Sequence, residues 1–171
     1  MSLRINEIFY SIQGESTYSG LPCVFIRLTY CNLRCTWCDT EYSFHEGNDM
    51  SIEKILETVK KYNCNLIEVT GGEPLLQKNS IKLLETLISN GYKVLLETGG
   101  SLPIKNVPKE VVKIIDFKCP YSKMDKKNLW TILDDMQNYD EIKVECNDNV
   151  HTMMNILLGK QSVGSFICNN I

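Results

Sequence analysis

The chain has little histidine, no run of lysine or arginine, and no apolar stretch near the length of a membrane span. Each shortage removes a class of protein. A bilayer-spanning helix needs about 20 consecutive apolar residues, so no membrane partner is expected. A net charge of −3 without a basic cluster leaves no electrostatic footprint for nucleic acid. The opening Met1-Ser2-Leu3-Arg4-Ile5-Asn6-Glu7 lacks the apolar centre of a secretion signal, which predicts a cytoplasmic protein. The two histidines, His45 and His151, stand alone and make poor general acids or bases. No internal repeat or low-complexity segment is visible.

What remains is ordinary in bulk: 171 residues, 43% apolar and 23% charged. That length fits one domain with a sizeable core. The unusual quantity is cysteine, of which there are eight. Five are scattered. The other three, Cys31, Cys35 and Cys38, form a C-x₃-C-x₂-C run directly after the apolar Val24-Phe25-Ile26-Arg27-Leu28. This spacing lets one loop aim three sulfurs at one place. A zinc knuckle needs a fourth ligand, for which Cys23 and His45 are the candidates. Three cysteines on a four-iron cluster instead leave one iron with an open position, which suits catalysis better than electron storage.

Apolar runs alternate with helical spacing along the chain. Residues 3–9 read as an entry strand. Strands follow at about 23–29, 66–70, 93–98, 111–117 and 141–145. Ser51 reads as an N-cap for a helix with Ile52, Ile55, Leu56 and Val59 on one face. A second helix carries Ile81, Leu84, Leu87 and Ile88 and stops at Asn90-Gly91. A third is predicted over 126–138, with Leu129, Ile132, Leu133 and Met136 on one face, and a fourth over 149–158. Unbroken apolar strands separated by helices argue for an α/β fold with a parallel sheet. About five to six strands predict a partial, open parallel β/α barrel. The cysteines, Thr70-Gly71-Gly72-Glu73, Glu97-Thr98 and Lys118-Cys119-Pro120 all follow strands, on the edge where such sheets bind ligands.

The cysteine loop together with Gly71-Gly72-Glu73-Pro74 resembles the radical S-adenosylmethionine (SAM) superfamily. That resemblance implies a [4Fe–4S] cluster on Cys31, Cys35 and Cys38, with SAM chelating the open iron. The glycines would bring acceptors close to the SAM amino group and Glu73 would add a carboxylate. Trp37, Cys38 and Asp39 would face the cofactor, with Trp37 beside its adenine.

A longer ordered set narrows the likeness. Glu7-Ile8-Phe9-Tyr10-Ser11-Ile12-Gln13-Gly14-Glu15, Phe25-Ile26-Arg27-Leu28 and Cys31 through Thr40 resemble the 7-carboxy-7-deazaguanine synthase family. That family converts 6-carboxy-5,6,7,8-tetrahydropterin to 7-carboxy-7-deazaguanine with loss of ammonia, a carbon–nitrogen lyase step toward queuosine. Its members are homodimers that use magnesium and a flavodoxin- or ferredoxin-type reductant. The resemblance implies that Ile12, Gln13, Gly14, Arg27 and Thr70 contact the pterin. Arg27 would take its carboxylate and Thr40 would give an oxygen to Mg²⁺. Gly72, Glu97 and the turn Pro120-Tyr121-Ser122 would line SAM. No residue is assigned as acid or base.

The likeness covers about residues 5–145 and fades beyond. The expectation is a single domain over 1–171 whose segment 159–171 is an atypical, shortened tail lacking the usual lid. A glycyl-radical activase, or a cluster-binding paralogue without turnover, are the alternatives.

Overall fold

Along the central strands every second side chain is apolar and faces the same way. Val24, Ile26, Leu28, Ile67, Val69, Val94, Leu96, Ile115, Phe117, Ile142 and Val144 share one buried cluster. The strands carrying them are β2 (Pro22–Leu28), β4 (Leu66–Gly71), β5 (Lys93–Thr98), β6 (Val112–Lys118) and β7 (Glu141–Glu145). Two helices close that cluster, α1 (Ile52–Lys60) through Ile55 and Val59, and α2 (Ser80–Ser89) through Leu83, Leu84 and Leu87. Each such side chain, fully buried, stabilises the fold by roughly 1.5–3 kcal/mol. The computed structural model describes residues 1–145 and 165–169.

The sheet has eight strands in the order β3-β1-β2-β4-β5-β6-β7-β8. From β2 to β8 all neighbours are parallel, giving six parallel strands. The sixth is β8 (Ser165–Asn169), which pairs with β7 from Glu141↔Ser165 to Glu145↔Asn169. The first five match the strands expected from sequence. The sheet stays open: β3 and β8 are its two ends.

Two antiparallel strands are added at one side. β1 (Ser2–Ile12) is longer than the entry strand predicted over 3–9 and pairs with β2 along most of its length. β3 (Asn48–Ser51) pairs with its first residues, Ser2 to Ile5. The polar sequence Asn-Asp-Met-Ser carries no strand alternation, so only the backbone ladder of β1 reveals it. Ser51 caps α1 as expected, its hydroxyl accepting the Lys54 N–H at 3.2 Å.

The helix predicted over 126–138 is not formed as one piece. Only a short turn at Asp125–Lys127 and α3 (Ile132–Asp135) are helical. Asn128 explains the break. Its side-chain amide pairs with the Lys118 backbone, donating to the carbonyl and accepting from the N–H, both at 2.9 Å. Asp140 ends the segment by accepting the Gln137 N–H at 2.8 Å. The helix predicted over 149–158 lies outside the described residues.

Candidate active site

The strand positions between the apolar ones point to the other face, and many are charged. Arg27, Glu68, Thr70, Glu97, Asp116, Lys118 and Lys143 all line one cavity of about 590 Å³. Among the described residues no helix packs on this face. Strand register sets their order: Phe25 lies beside Glu68, Arg27 beside Thr70, and Asp116 beside Lys143. A small apolar patch of Phe25, Leu95, Val112 and Ile114 underlies the deeper end.

The cysteine loop forms the rim. The chain leaves β2 through Tyr30, held at φ 79°. A non-glycine residue in the left-handed region is costly, and here two backbone bonds hold it: Tyr30 N–H to Ser43 at 2.9 Å and Glu73 N–H to the Tyr30 carbonyl at 2.7 Å. Leu33 is buried and anchors the loop. Thr36 ties it to the turn after β6, its backbone N–H donating to the Ser122 carbonyl and its hydroxyl to that of Tyr121. Cys31, Cys35 and Cys38 are free thiols that open on the cavity. Burial pushes the Cys31 and Cys35 thiols up from the ordinary thiol range. They are therefore poor nucleophiles when free and would shed protons on binding metal.

Neither suggested fourth ligand joins them. Cys23 is fully buried on β2, where its thiol is pushed up to about 12 by burial and by Glu68. His45 packs edge-on to Phe44, away from the cavity lining. Among the described residues no three His, Cys, Asp or Glu side chains gather closely enough for a single ion. A cluster that offers each cysteine its own iron fits such a set of soft donors.

The turn after β4 presses against this loop. A Cβ on Gly72 would meet the Tyr30 carbonyl oxygen at 2.4 Å and the Cys31 Cβ at 2.7 Å, and one on Gly71 the Leu28 oxygen at 2.3 Å. Only glycine permits so close an approach. Glu73 sits behind the turn, fully buried, and is absent from the cavity lining. Its oxygens accept from Leu75 N–H, Gly99 N–H and the Thr98 hydroxyl. It fastens the β4 turn to the end of β5, and its carboxylate is spent within the protein.

The remaining expected residues divide. Gln13, Gly14, Trp37, Asp39, Thr40 and Glu97 line the cavity. Ile12 is 65% exposed at the end of β1 and does not. Pro120, Tyr121 and Ser122 also stand outside; Tyr121 stacks on Trp37 with ring centroids 5.1 Å apart. Arg27 already bonds Glu7 through Nε at 2.8 Å, so one edge of its guanidinium is used and its terminal nitrogens remain for a second acceptor.

Sequence reading missed the ion network on the sheet. Lys143 Nζ lies 2.8 Å from Glu15, 3.1 Å from Glu97 and 3.9 Å from Asp116, while Lys118 bonds Asp116 at 2.7 Å. Burial disfavours the Lys143 charge, but Glu97, Asp116 and Glu15 outweigh it and raise its pKa. Burial would also raise Glu97, yet Lys143 and the Thr70 hydroxyl hold it down to about 2. Glu68 forms no ion pair within 4 Å among the described residues, and burial and Glu97 push it up to about 8 against the weaker pull of Lys143. Charged letters inside otherwise apolar strands were the available signal.

A match to the family model of the radical SAM superfamily spans residues 25–118. The chain is 49% identical to the 7-carboxy-7-deazaguanine synthase of Koribacter versatilis, covering 85% of this chain and 66% of that protein. It is 37% identical to the protein of the same name from Thermoplasma acidophilum, over 86% of this chain and 71% of that one. The chain belongs to the 7-carboxy-7-deazaguanine synthase family of radical SAM proteins. The crystal structure of QueE from Escherichia coli shares its fold, with a TM-score of 0.84 and 22% identity over 99% of this chain and 84% of that one. The chain spans 66% and 71% of the length of these two synthases, and 57% of the synthase of Chlorobaculum tepidum. Membership in the radical SAM superfamily implies a [4Fe–4S] cluster and SAM, which the three free thiols and the closely apposed Gly71-Gly72 turn suit.

Proposed function

We propose that this protein carries out the synthase reaction named by its relatives, taking 6-carboxy-5,6,7,8-tetrahydropterin to 7-carboxy-7-deazaguanine with loss of ammonia, as a carbon–nitrogen lyase. One observation carries the reading: Arg27, with terminal nitrogens to spare, opens on the same cavity as Cys31, Cys35 and Cys38. A carboxylate gripped there lies under the cysteine loop.

Cluster and SAM, when bound, would supply the radical chemistry, the removal of one hydrogen from the pterin carbon bearing the carboxylate. Cys31, Cys35 and Cys38 hold the cluster. The Gly71-Gly72 backbone accepts from the SAM amino group, a role that falls to carbonyls because Glu73 is occupied. Trp37, backed by Tyr121, offers a flat face to the adenine. Arg27 orients the substrate carboxylate by a charge-assisted fork. Thr70, whose hydroxyl donates to Glu97, accepts at the pterin edge, and Gln13 and Gly14 close the far side. Thr40, on the cavity lining, would give its hydroxyl oxygen to Mg²⁺ beside the substrate carboxylate, as hard-oxygen donors suit that ion. A homodimer and a flavodoxin- or ferredoxin-type electron donor complete the proposal, at a cytoplasmic location. No described helix is long and apolar enough to cross a membrane.

The test is anaerobic reconstitution with iron and sulfide, followed by SAM, a low-potential reductant and the carboxytetrahydropterin. The expected products are 5′-deoxyadenosine and 7-carboxy-7-deazaguanine in step. SAM cleavage that leaves the pterin intact overturns the reading in favour of an activase or a silent paralogue.

A further inference from the structure

Glu68 is an acid of the cavity wall that the proposed reaction has not used, and among the described residues it forms no ion pair within 4 Å. It sits mid-strand on β4 and is 4% exposed. Gln13, itself 3% exposed, donates its Nε2–H to Glu68 Oε2. Phe25 is its neighbour across the β2–β4 ladder and stacks on Phe9 with centroids 5.0 Å apart. A flat apolar wall therefore meets a carboxyl and a carboxamide at the deep end of the cavity. The cysteine loop is at the strand ends, and Arg27 stands two residues further along β2 than Phe25, on the loop side.

This order fixes an orientation. With its carboxylate on Arg27 and the adjacent carbon toward the cysteine loop, a pterin must point its other ring inward. That ring ends in a 2-amino-4-oxopyrimidine edge, which presents N–H donors side by side. A carboxylate accepts two parallel N–H bonds well, as it does from arginine. We propose that Glu68, steadied by Gln13, is the specificity residue that reads the aminopyrimidinone edge of the substrate and rejects rings lacking the amino group. The inference rests on the pterin reading above and deepens it.

The protein without ligand leaves this carboxyl short of donors, and its surroundings agree. Glu15 from the β1–β2 connection and Glu97 from β5 repel its charge, Lys143 from β7 attracts it but is shared among other acids, and burial raises it. Ligand N–H groups replace the missing cation. Binding then releases a proton when the pH is below about 8, so affinity falls on acidification by up to about tenfold per pH unit.

The test compares wild type with Glu68→Gln, both with reconstituted cluster. Binding of 6-carboxypterin and of its 2-oxo counterpart, 6-carboxylumazine, is measured by calorimetry from pH 6 to 9, alongside KM and kcat for the tetrahydropterin. Wild type should prefer the pterin by about 100-fold or more, since a site built to bond a group rejects ligands without it. In Glu68→Gln that preference should fall to within about tenfold, KM should rise more than kcat falls, and the acid-side loss of affinity should disappear. A merely structural role would weaken both ligands equally and leave the ratio and pH profile unchanged; that result overturns the inference. Wild type that binds and selects the pterin without turning it over refutes the synthase reading and leaves Glu68's role standing. Wild type that binds neither ligand overturns both.

Discussion

Lys143 Nζ lies 3.1 Å from Glu97 Oε1 although a whole strand, β6, separates their strands. The lysine bridges the gap and takes Glu15 at 2.8 Å as well, so it joins β5, β7 and the β1–β2 connection at a single point.

Replacing that lysine should leave buried carboxylates facing one another. Lys143→Met is expected to lose about 3 kcal/mol of stability, because removing one partner of a buried pair costs more than the pair contributes. Glu97 is held low at about 2, so its ion pairing stabilises the fold above about pH 4.5, the usual carboxylate value. The deficit of the variant should be full at neutral pH and close as the pH falls from about 4.5 toward 2. Urea unfolding across that range checks both size and sign.

Glu68 predicts the reverse slope. Its carboxyl is raised to about 8, so the folded protein binds a proton there that the unfolded chain has released. Wild-type stability should decline from about pH 4.5 to 8, by up to about 1.4 kcal/mol per pH unit. Glu68→Gln keeps an acceptor for Gln13 and has no charge to bury. It should match wild type near pH 4.5 and exceed it at pH 8, read from urea midpoints.

Gly72→Ala would force a methyl against the Tyr30 carbonyl and Cys31 Cβ, neither of which is the end of a flexible side chain. The cysteine loop should shift. Iron and acid-labile sulfide bound per chain are expected to fall to below about half, with a drop in thermal midpoint. Gly14→Ala is the matched control, since a Cβ there has nothing within 4 Å. Its iron content should equal that of wild type.

Arg27→Lys keeps a charge and removes the fork. Lysine at this position can satisfy Glu7 or the substrate but presents no second pair of aligned donors. The KM for the carboxylated pterin should rise at least about tenfold, while the visible absorption of the cluster stays as in wild type. An unchanged KM would remove Arg27 from the substrate site.

Much of the frame could be read from the chain because apolar periodicity is a local signal. The five strands from β2 to β7 and helices α1 and α2 emerge from runs such as Leu66-Ile67-Glu68-Val69 and from Ile52, Ile55 and Val59. The same runs concealed the site floor. Glu68, Asp116 and Lys143 read as single charges in apolar strands, and only strand register places Asp116 beside Lys143. Glu73 has internal partners that the sequence did not disclose. A carboxylate after a glycine turn looks like a ligand, yet its partners Thr98 and Gly99 lie some 25 residues later. The third helix failed for a similar reason: Leu129, Ile132, Leu133 and Met136 have the right spacing, but Asn128 binds the backbone of β6 instead.

The division of the sheet into an apolar side under α1 and α2 and a charged side facing the cavity has a consequence for descent. On β4, Ile67 and Val69 carry the fold while Glu68 and Thr70 carry the site, and no side chain serves both. On β4, substitution at the cavity-facing positions leaves the apolar packing under α1 and α2 untouched, so chemistry there can diverge while the architecture is kept.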